Sequence, residues 1–329
     1  MSKVYKPTVA IIDADFIPYQ ASFGAQKTYY HFVVDDKIVS DKFPSAKLAK
    51  QWLLNEDLDA EMMDEECWVT KDDRVTTVEY GTVEEAIKAC DNLIDDCLKL
   101  AGDTIETYEL WLTRKGDKIK VQKGTERKYQ HNRDGLEKPK HWQVVRDYLE
   151  QHKCVKLAPS HFEADNLVVV RAEKLGEEGV ALSMDKDIGT LEEGWFIHMN
   201  KMMAGTPKWV NAVGELWLEG TGKKAKVRGV GFKWLMLQTI AGDTADHYNG
   251  LFNVGDKTVL ELLDGLTTKP EVINAVMDFY HRTVGDNFTF ISWDGVEHTL
   301  TYLELLNQHA SMGYMERSST DSFDYKNYL

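Results

Sequence analysis

Two rhythms of apolar and polar positions alternate along the first two hundred residues. Val9-Ala10-Ile11-Ile12 is an unbroken apolar run that stops at Asp13-Ala14-Asp15, as a buried strand does. Residues 28–43 alternate around Asp35-Asp36-Lys37 and predict a hairpin. The stretch Leu53–Glu66 is helical in pattern and carries seven carboxylates, which suits a solvated face. Val75–Tyr80 predicts a strand, Thr82 an N-cap with Glu85 in the capping-box position, and Val83 to about Leu100 a helix stopped by Gly102. Tyr108–Leu112 reads as a strand, Trp142–Gln151 as a helix and Cys154–Leu157 as a strand. Past Pro159 a helix opens near Phe162–Asp165 and runs to Leu175, before Gly176. Val180–Met184 is again apolar and ends at Asp185-Lys186-Asp187. Strands alternating with helices predict an α/β fold with a mostly parallel central sheet and helices on both faces.

Beyond residue 200 the texture changes. Leu216-Trp217-Leu218 and Ala225–Val227 flank Gly220-Thr221-Gly222-Lys223-Lys224, a hairpin with a basic tip. Phe232–Ala241 is an apolar helix broken by Gly242-Asp243, and Asp256–Leu263 starts another. Met315–Leu329 is polar and reads as a frayed end. A length of 329 residues allows two domains. The expected division is a core over 1–200 and a C-terminal region over 201–329, with the hairpin at 215–228 and the helices at 232–263.

Composition excludes several classes. With 43% hydrophobic and 28% charged residues the chain is not disordered, and no apolar run approaches the roughly 18 residues of a membrane span. Val9–Ile12, after Lys3 and Lys6, is too short for a signal-peptide core, so a cytoplasmic protein without membrane contact is expected. Four cysteines without a CxxC pair give neither a zinc site nor a disulfide framework, and Cys90 and Cys97 fall on a helical core face. Net charge is −15, but it is segregated. Residues 114–153 hold twelve basic against six acidic side chains and 201–233 seven against two, in an otherwise acidic chain. A phosphate backbone feels local potential over about 8–10 Å, so the two basic blocks suit an anionic polymer.

Candidate chemistry sits where strands end. Asp13, the pair Glu163/Asp165 and the pair Asp185/Asp187 lie just past predicted strands or at a helix start. Ligands of open α/β sheets bind outside the carboxyl ends of the strands, which would gather these carboxylates. Crowded like charges call for a cation, and an all-oxygen set suits Mg²⁺ or Mn²⁺. Two ions about 3.5–4 Å apart suit phosphodiester hydrolysis. Asp35-Asp36, Asp57/Asp59 and Asp72-Asp73 read as surface. The ten histidines show no metal-ligand spacing, and Arg228-Gly229-Val230-Gly231 is too little for dinucleotide binding. Tyr129 and Trp142, beside the first basic block, are candidates for stacking on unpaired bases, with core packing the alternative for Trp142.

The ordered set of motifs is more specific than any pair. Ile11-Ile12-Asp13, Tyr129–Arg133 (YQHNR), Phe162-Glu163-Ala164-Asp165-Asn166, Ser183-Met184-Asp185-Lys186-Asp187 and Ala241-Gly242-Asp243-Thr244-Ala245-Asp246 follow one another. Gly250, Val254-Gly255-Asp256-Lys257-Thr258 and Leu262-Leu263 complete the series. From about residue 9 to 263 this resembles the 5′→3′ exonuclease and flap-endonuclease family, in particular phage replication exonucleases and the 5′-nuclease domain of bacterial DNA polymerase I. The resemblance implies a PIN-like core and a C-terminal helix–three-turn–helix. It implies two divalent ions held by Asp13, Glu163, Asp165, Asp185, Asp187, Asp243 and Asp246. It also implies a duplex backbone gripped by Gly255, Lys257 and Thr258, with a monovalent cation such as K⁺ at loop carbonyls. Segment 114–141 would be the family's arch, with Lys128, Tyr129 and Arg133 meeting the strand and Lys128, Arg133 and Asp185 serving catalysis. Lys223, Lys224, Lys226 and Arg228 would extend the duplex track.

The chain departs from the family at three positions. Arg114 follows the strand where many members carry Asp, Gln130 replaces the lysine of YKxNR, and Asn166 replaces the second Asp of ExDD. The implied activity is metal-dependent hydrolysis of DNA, or of RNA–DNA hybrid ends, from 5′ termini or flaps in phage replication, with replication proteins as partners through the C-terminal tail. The alternative is a catalytically attenuated DNA-binding scaffold of the same fold. The block at 241–258 argues against a PIN-type RNase.

Overall fold

The computed structural model describes residues 3–60, 69, 71–115, 126–128, 131, 135–200, 203–222 and 225–329, with backbone alone for 55–60. In chain order its first elements are β1 (Val9–Asp13), α1 (Ile17–Gly24), β2 (Gln26–Val34), β3 (Lys37–Ile38), α2 (Ala46–Ala60), β4 (Arg74–Tyr80), α3 (Val83–Ala101), β5 (Thr107–Leu112) and α4 (Trp142–Glu150). Then come β6 (Val155–Leu157), α5 (Ala164–Leu175), β7 (Gly179–Ser183), β8 (Gly194–His198), β9 (Lys208–Val210), β10 (Glu215–Glu219), β11 (Lys226–Val230) and α6 (Gly231–Ala241). The rest are β12 (Gly242–Asp243), β13 (Tyr248–Asn249), α7 (Asp256–Leu263), α8 (Lys269–Val284), β14 (Asn287–Ile291), β15 (Glu297–Thr301) and α9 (Tyr302–Gly313).

The chain divides into two compact units. One comprises Met1–Phe16, Asp95–Glu137 and His152–Leu329, the other Ile17–Ile94 and Lys138–Gln151. The larger holds a six-stranded sheet of order β6-β5-β1-β7-β8-β9, parallel except for β9. Consecutive side chains of a strand point to opposite faces, and Ala10, Ile11 and Ile12 are all fully buried, so both faces of β1 are covered. Val168, Val169 and Ala172 of α5 pack with Ile11 and Ala181 on one of them.

The same unit contains a second core around α6. That helix buries Phe232 and every residue from Trp234 to Ile240, as a helix apolar on all sides must. Residues of α7, α8 and α9 surround it: Val259, Leu263, Val272, Val276, Tyr280, Leu305 and Ala310. The C-terminus is not frayed, contrary to the sequence reading. Met315 and Phe323 are buried, Tyr328 stacks on Phe232 at 4.6 Å, and the Arg317 guanidinium holds Glu173 with two hydrogen bonds of 2.8 and 3.0 Å. Aromatic anchors spaced through a polar segment outweigh its mean polarity.

In the smaller unit β3, β2 and β4 form an antiparallel sheet. The turn between β2 and β3 places Asp35 and Asp36 at φ 48° and 60°, the left-handed pair a tight hairpin needs. Thr82 and Glu85 make the expected reciprocal capping box of α3. Trp142 is buried against Tyr19 (5.6 Å) and under the Lys138 ammonium (3.2 Å), which is its core-packing role. Among the described residues no helix is long and apolar enough to cross a membrane.

Candidate metal centre

The ends of β1 and β7 build the centre through one hydroxyl. Ser183, the last residue of β7, donates to Asp13 Oδ2 at 2.8 Å and accepts from the Asp185 backbone N–H at 2.8 Å. Asp185 in turn accepts from the Asp187 N–H at 2.8 Å, which turns the chain into a short 3-10 segment, Lys186–Thr190. Asp15 accepts from the Thr113 N–H at 3.0 Å, and the Thr113 hydroxyl accepts from the Ala164 N–H at 2.8 Å. This chain of contacts fixes the start of α5, where Glu163 opens a capping box with Asn166 and Asp165 occupies the first turn.

Asp243 and Asp246 come from the turn after α6. Gly242 adopts φ 76°, and a Cβ there would meet the Gly250 backbone nitrogen at 2.4 Å, so the turn needs glycine. The Asp243 carboxylate accepts from the Ala245 N–H at 2.8 Å. Asp187, Asp243 and Asp246 are all buried, and each offers an oxygen within 4.8 Å of the others. The Lys186 ammonium pairs with Asp187 at 3.1 Å and with Asp243, and Gln238 of α6 donates to Asp187.

Electrostatics joins the remaining acids to this triad. Burial pushes Asp13 from 3.8 up to about 7, helped by the charges of Asp15 and Asp165 and opposed by the Ser183 hydroxyl. Burial pushes Asp185 well above the usual carboxylate range, and Asp187, Asp246 and Asp165 add to the rise. Burial works against the Lys186 charge, but Asp187, Asp243 and Asp185 outweigh it and hold its pKa above the ordinary lysine value. A buried group of carboxylates at close quarters, offering only oxygen donors, fits a hard divalent cation. Asp187, Asp243 and Asp246 are the residues placed to hold one.

The other expected residues fall elsewhere. Lys128 lies beside the centre through its backbone, whose carbonyl accepts from His247 Nδ1 at 3.2 Å. Lys226 and Arg228 are on β11, and Arg228 pairs with Glu219 at 2.9 Å. Gly255, Lys257 and Thr258 form the exposed start of α7, outside the acidic cluster, and nothing lies within 4 Å of a Cβ placed on Gly255. Tyr129, Gln130, Arg133, Lys223 and Lys224 lie outside the described residues. Arg114 donates through Nε to the Ala158 carbonyl at 2.9 Å and so links the ends of β5 and β6. The Asn166 amide reaches the Glu316 backbone in the C-terminal segment. The sequence reading did not assign Asp15, Ser183, Lys186 and Gln238 to the site. Of these, Ser183 and Lys186 stood inside a motif it quoted, and Asp15 closed the run Asp13-Ala14-Asp15 at the end of the first strand.

No family model matches the chain, and neither does any curated protein. Solved structures do. In fold the chain is similar to phage 5′ nucleases. A T5 5′-exonuclease mutant is 10% identical with a TM-score of 0.38, over 71% of this chain and 78% of that one. A bacteriophage T5 flap endonuclease, in a pseudo-enzyme–product complex with DNA and metal ions, is 10% identical with a TM-score of 0.43, over 71% and 80%. A T5 protein co-crystallised with metal ions is 11% identical with a TM-score of 0.38 over the same shares. With so few residues shared, the chemistry has to come from this chain's own side chains.

Proposed function

We propose that the protein is a divalent-metal-dependent nuclease that hydrolyses DNA phosphodiesters from 5′ ends or flaps. The observation that carries this reading is the buried triad Asp187, Asp243 and Asp246, with Asp185 beside it, Asp165 of α5 acting on both Asp185 and Asp13, and Asp13 at the end of β1. Mg²⁺ or Mn²⁺, when bound, supplies Lewis-acid polarisation of the scissile phosphate and charge to balance the leaving oxygen. The protein's own part is orientation. Ser183 holds Asp13 and the Asp185 backbone in fixed relation, and Gln238 fixes Asp187 from α6. Lys128 and Arg133 in the basic segment and Lys223, Lys224, Lys226 and Arg228 on the hairpin would neutralise backbone phosphates. The helix start at Gly255–Lys257 suits another phosphate, with the Lys257 and Thr258 side chains as adjacent donors and a K⁺ ion at the loop carbonyls. The 5′ polarity and a role in phage replication come from the motif resemblance. Replication partners would meet the exposed positions of the tail, 318–320, 322, 326, 327 and 329, which lie between its buried anchors.

A second reading, a DNA-binding scaffold with an attenuated site, is favoured by Lys186, whose ammonium already pairs with Asp187 and Asp243 and offsets one of their two charges. One gel assay separates the two, using 5′-labelled duplex and 5′-flap DNA with Mg²⁺, Mn²⁺ or EDTA. The nuclease reading expects short 5′ products in metal, none in EDTA and none with Asp185→Ala. DNA binding without cleavage in either metal would establish the scaffold.

A further inference from the structure

A cavity of about 520 Å³ opens between β8, β9 and the β10–β11 hairpin, within the roughly 300–1,000 Å³ range of small-ligand sites. Its walls repeat one device. Phe196 of β8 is paired across strands with Lys208 of β9, and Trp217 of β10 with Arg228 of β11, so two aromatic–cation pairs line one space. The Lys208 ammonium also lies 3.5 Å from the centre of the Trp217 ring, which joins the two pairs. His198, two residues beyond Phe196 on the same strand face, holds its ring nearly parallel to the Phe196 ring at 24°. Its Nε2 lies 3.1 Å from the Met184 carbonyl, which can only accept, so Nε2 carries a proton, and in the neutral ring that burial favours Nδ1 is left as an acceptor. Lys186, the residue that pairs with Asp187 and Asp243, also lines the cavity. The cavity and the acidic centre therefore share a wall.

Flat aromatic walls with cations beside them suit a ligand that is an aromatic plane with an anionic tail. The cations are recruitable. Among the described residues the carboxylates that pair with Lys208 and Arg228 are Glu215 and Glu219, whose side chains are 64% and 61% exposed, and such surface pairs are worth about 0–1 kcal/mol. We propose that this cavity binds one unpaired nucleotide unit, its base against Trp217 and Phe196 and its phosphate with Lys208 and Arg228. The proposal rests on the nuclease reading for its biological sense, because a unit bound there would lie next to the proposed site of hydrolysis. The ligand is either a free deoxynucleoside monophosphate or the unpaired end of a strand.

Calorimetric titration of the full chain in EDTA tests it, with dAMP, deoxyadenosine, inorganic phosphate and a short single-stranded oligodeoxynucleotide. Saturable binding of dAMP is expected, about tenfold tighter than deoxyadenosine or phosphate alone. Trp217→Leu and Arg228→Gln should each weaken it about tenfold with the thermal midpoint kept, as for the loss of one stack or one phosphate contact. Binding of the oligonucleotide alone, with the same sensitivity to both variants, would assign the cavity to a strand end. The absence of saturable binding by either probe, or binding indifferent to both variants, would overturn the proposal. EDTA keeps the outcome separate from cleavage. A protein that binds dAMP and never cuts loses the nuclease reading alone, and one that cuts but binds neither dAMP nor the oligonucleotide in the cavity loses the cavity alone.

Discussion

At the scale of single residues the centre depends on neutral and cationic groups as much as on acids. The Ser183 hydroxyl spans Asp13 and Asp185, 170 and two positions away in sequence. Lys186 stands among the carboxylates it neutralises, so Lys186→Met should leave them uncompensated. In EDTA we expect the variant to lose about 3 kcal/mol, as when one partner of a buried pair is removed. Saturating Mg²⁺ should restore more stability to it than to the wild type, and thermal denaturation with and without metal measures both. Glu109 gives a separate acid-side signal. Burial disfavours its charge, but Lys156 at 2.7 Å and Arg171 at 3.0 Å outweigh that and hold its pKa below the ordinary 4.5. The stability it adds is therefore complete above that value and lost as pH falls through the lowered one. Urea unfolding across this range should find Glu109→Gln less stable than wild type near neutrality and equal to it in acid. The acids were legible because their order is a pattern. Ser183, Gln238 and the Asn166 amide were not, because a hydrogen bond to a partner far along the chain leaves no spacing to read.

At the scale of elements, most strands and helices followed the apolar rhythm, and β1 did so because burial on both faces leaves an unbroken run, while α6 is apolar but for Lys233, Gln238 and Thr239. The same Thr-x-x-Glu signature that marks Thr82 also stands at Thr268–Glu271 and Thr301–Glu304, where it caps α8 and α9. Those two helices were thus readable from a signal already in use, although the region past residue 270 matches no motif. The β12–β13 pair was not readable, since two residues per strand carry no period. It depends on Gly242. Gly242→Ala forces a Cβ against the Gly250 nitrogen at positive φ, for a cost above about 1 kcal/mol. Because Asp243 is the next residue, the substitution should weaken Mg²⁺ binding together with stability, whereas a purely structural glycine would affect stability alone. Calorimetric titration with Mg²⁺ beside a denaturation curve distinguishes these results.

At the scale of the whole molecule, a net charge of −15 coexists with two basic blocks and one buried acidic centre, so local potential carries the functional reading. The tail shows how mean polarity misleads: residues 315–329 look solvated, yet Tyr328 stacks on both Phe232 and Phe323 and seals the α6 core. Phe323→Ala should cost about 3–5 kcal/mol, read as a lower urea midpoint, even though it lies in what the sequence presents as a frayed end.

The carboxylates of the centre are drawn from four separated stretches, around residues 13, 165, 185 and 243. During synthesis the middle strand of the sheet emerges first and must wait for β5 and β7, and then for the turn behind α6, which is nearly three-quarters of the way along the chain. Contacts so distant in sequence form late, because the intervening loop must first be closed. A nascent chain stalled before residue 243 carries five of the seven motif carboxylates but no closed triad. Any cutting activity is therefore withheld until the ribosome has passed the last of them.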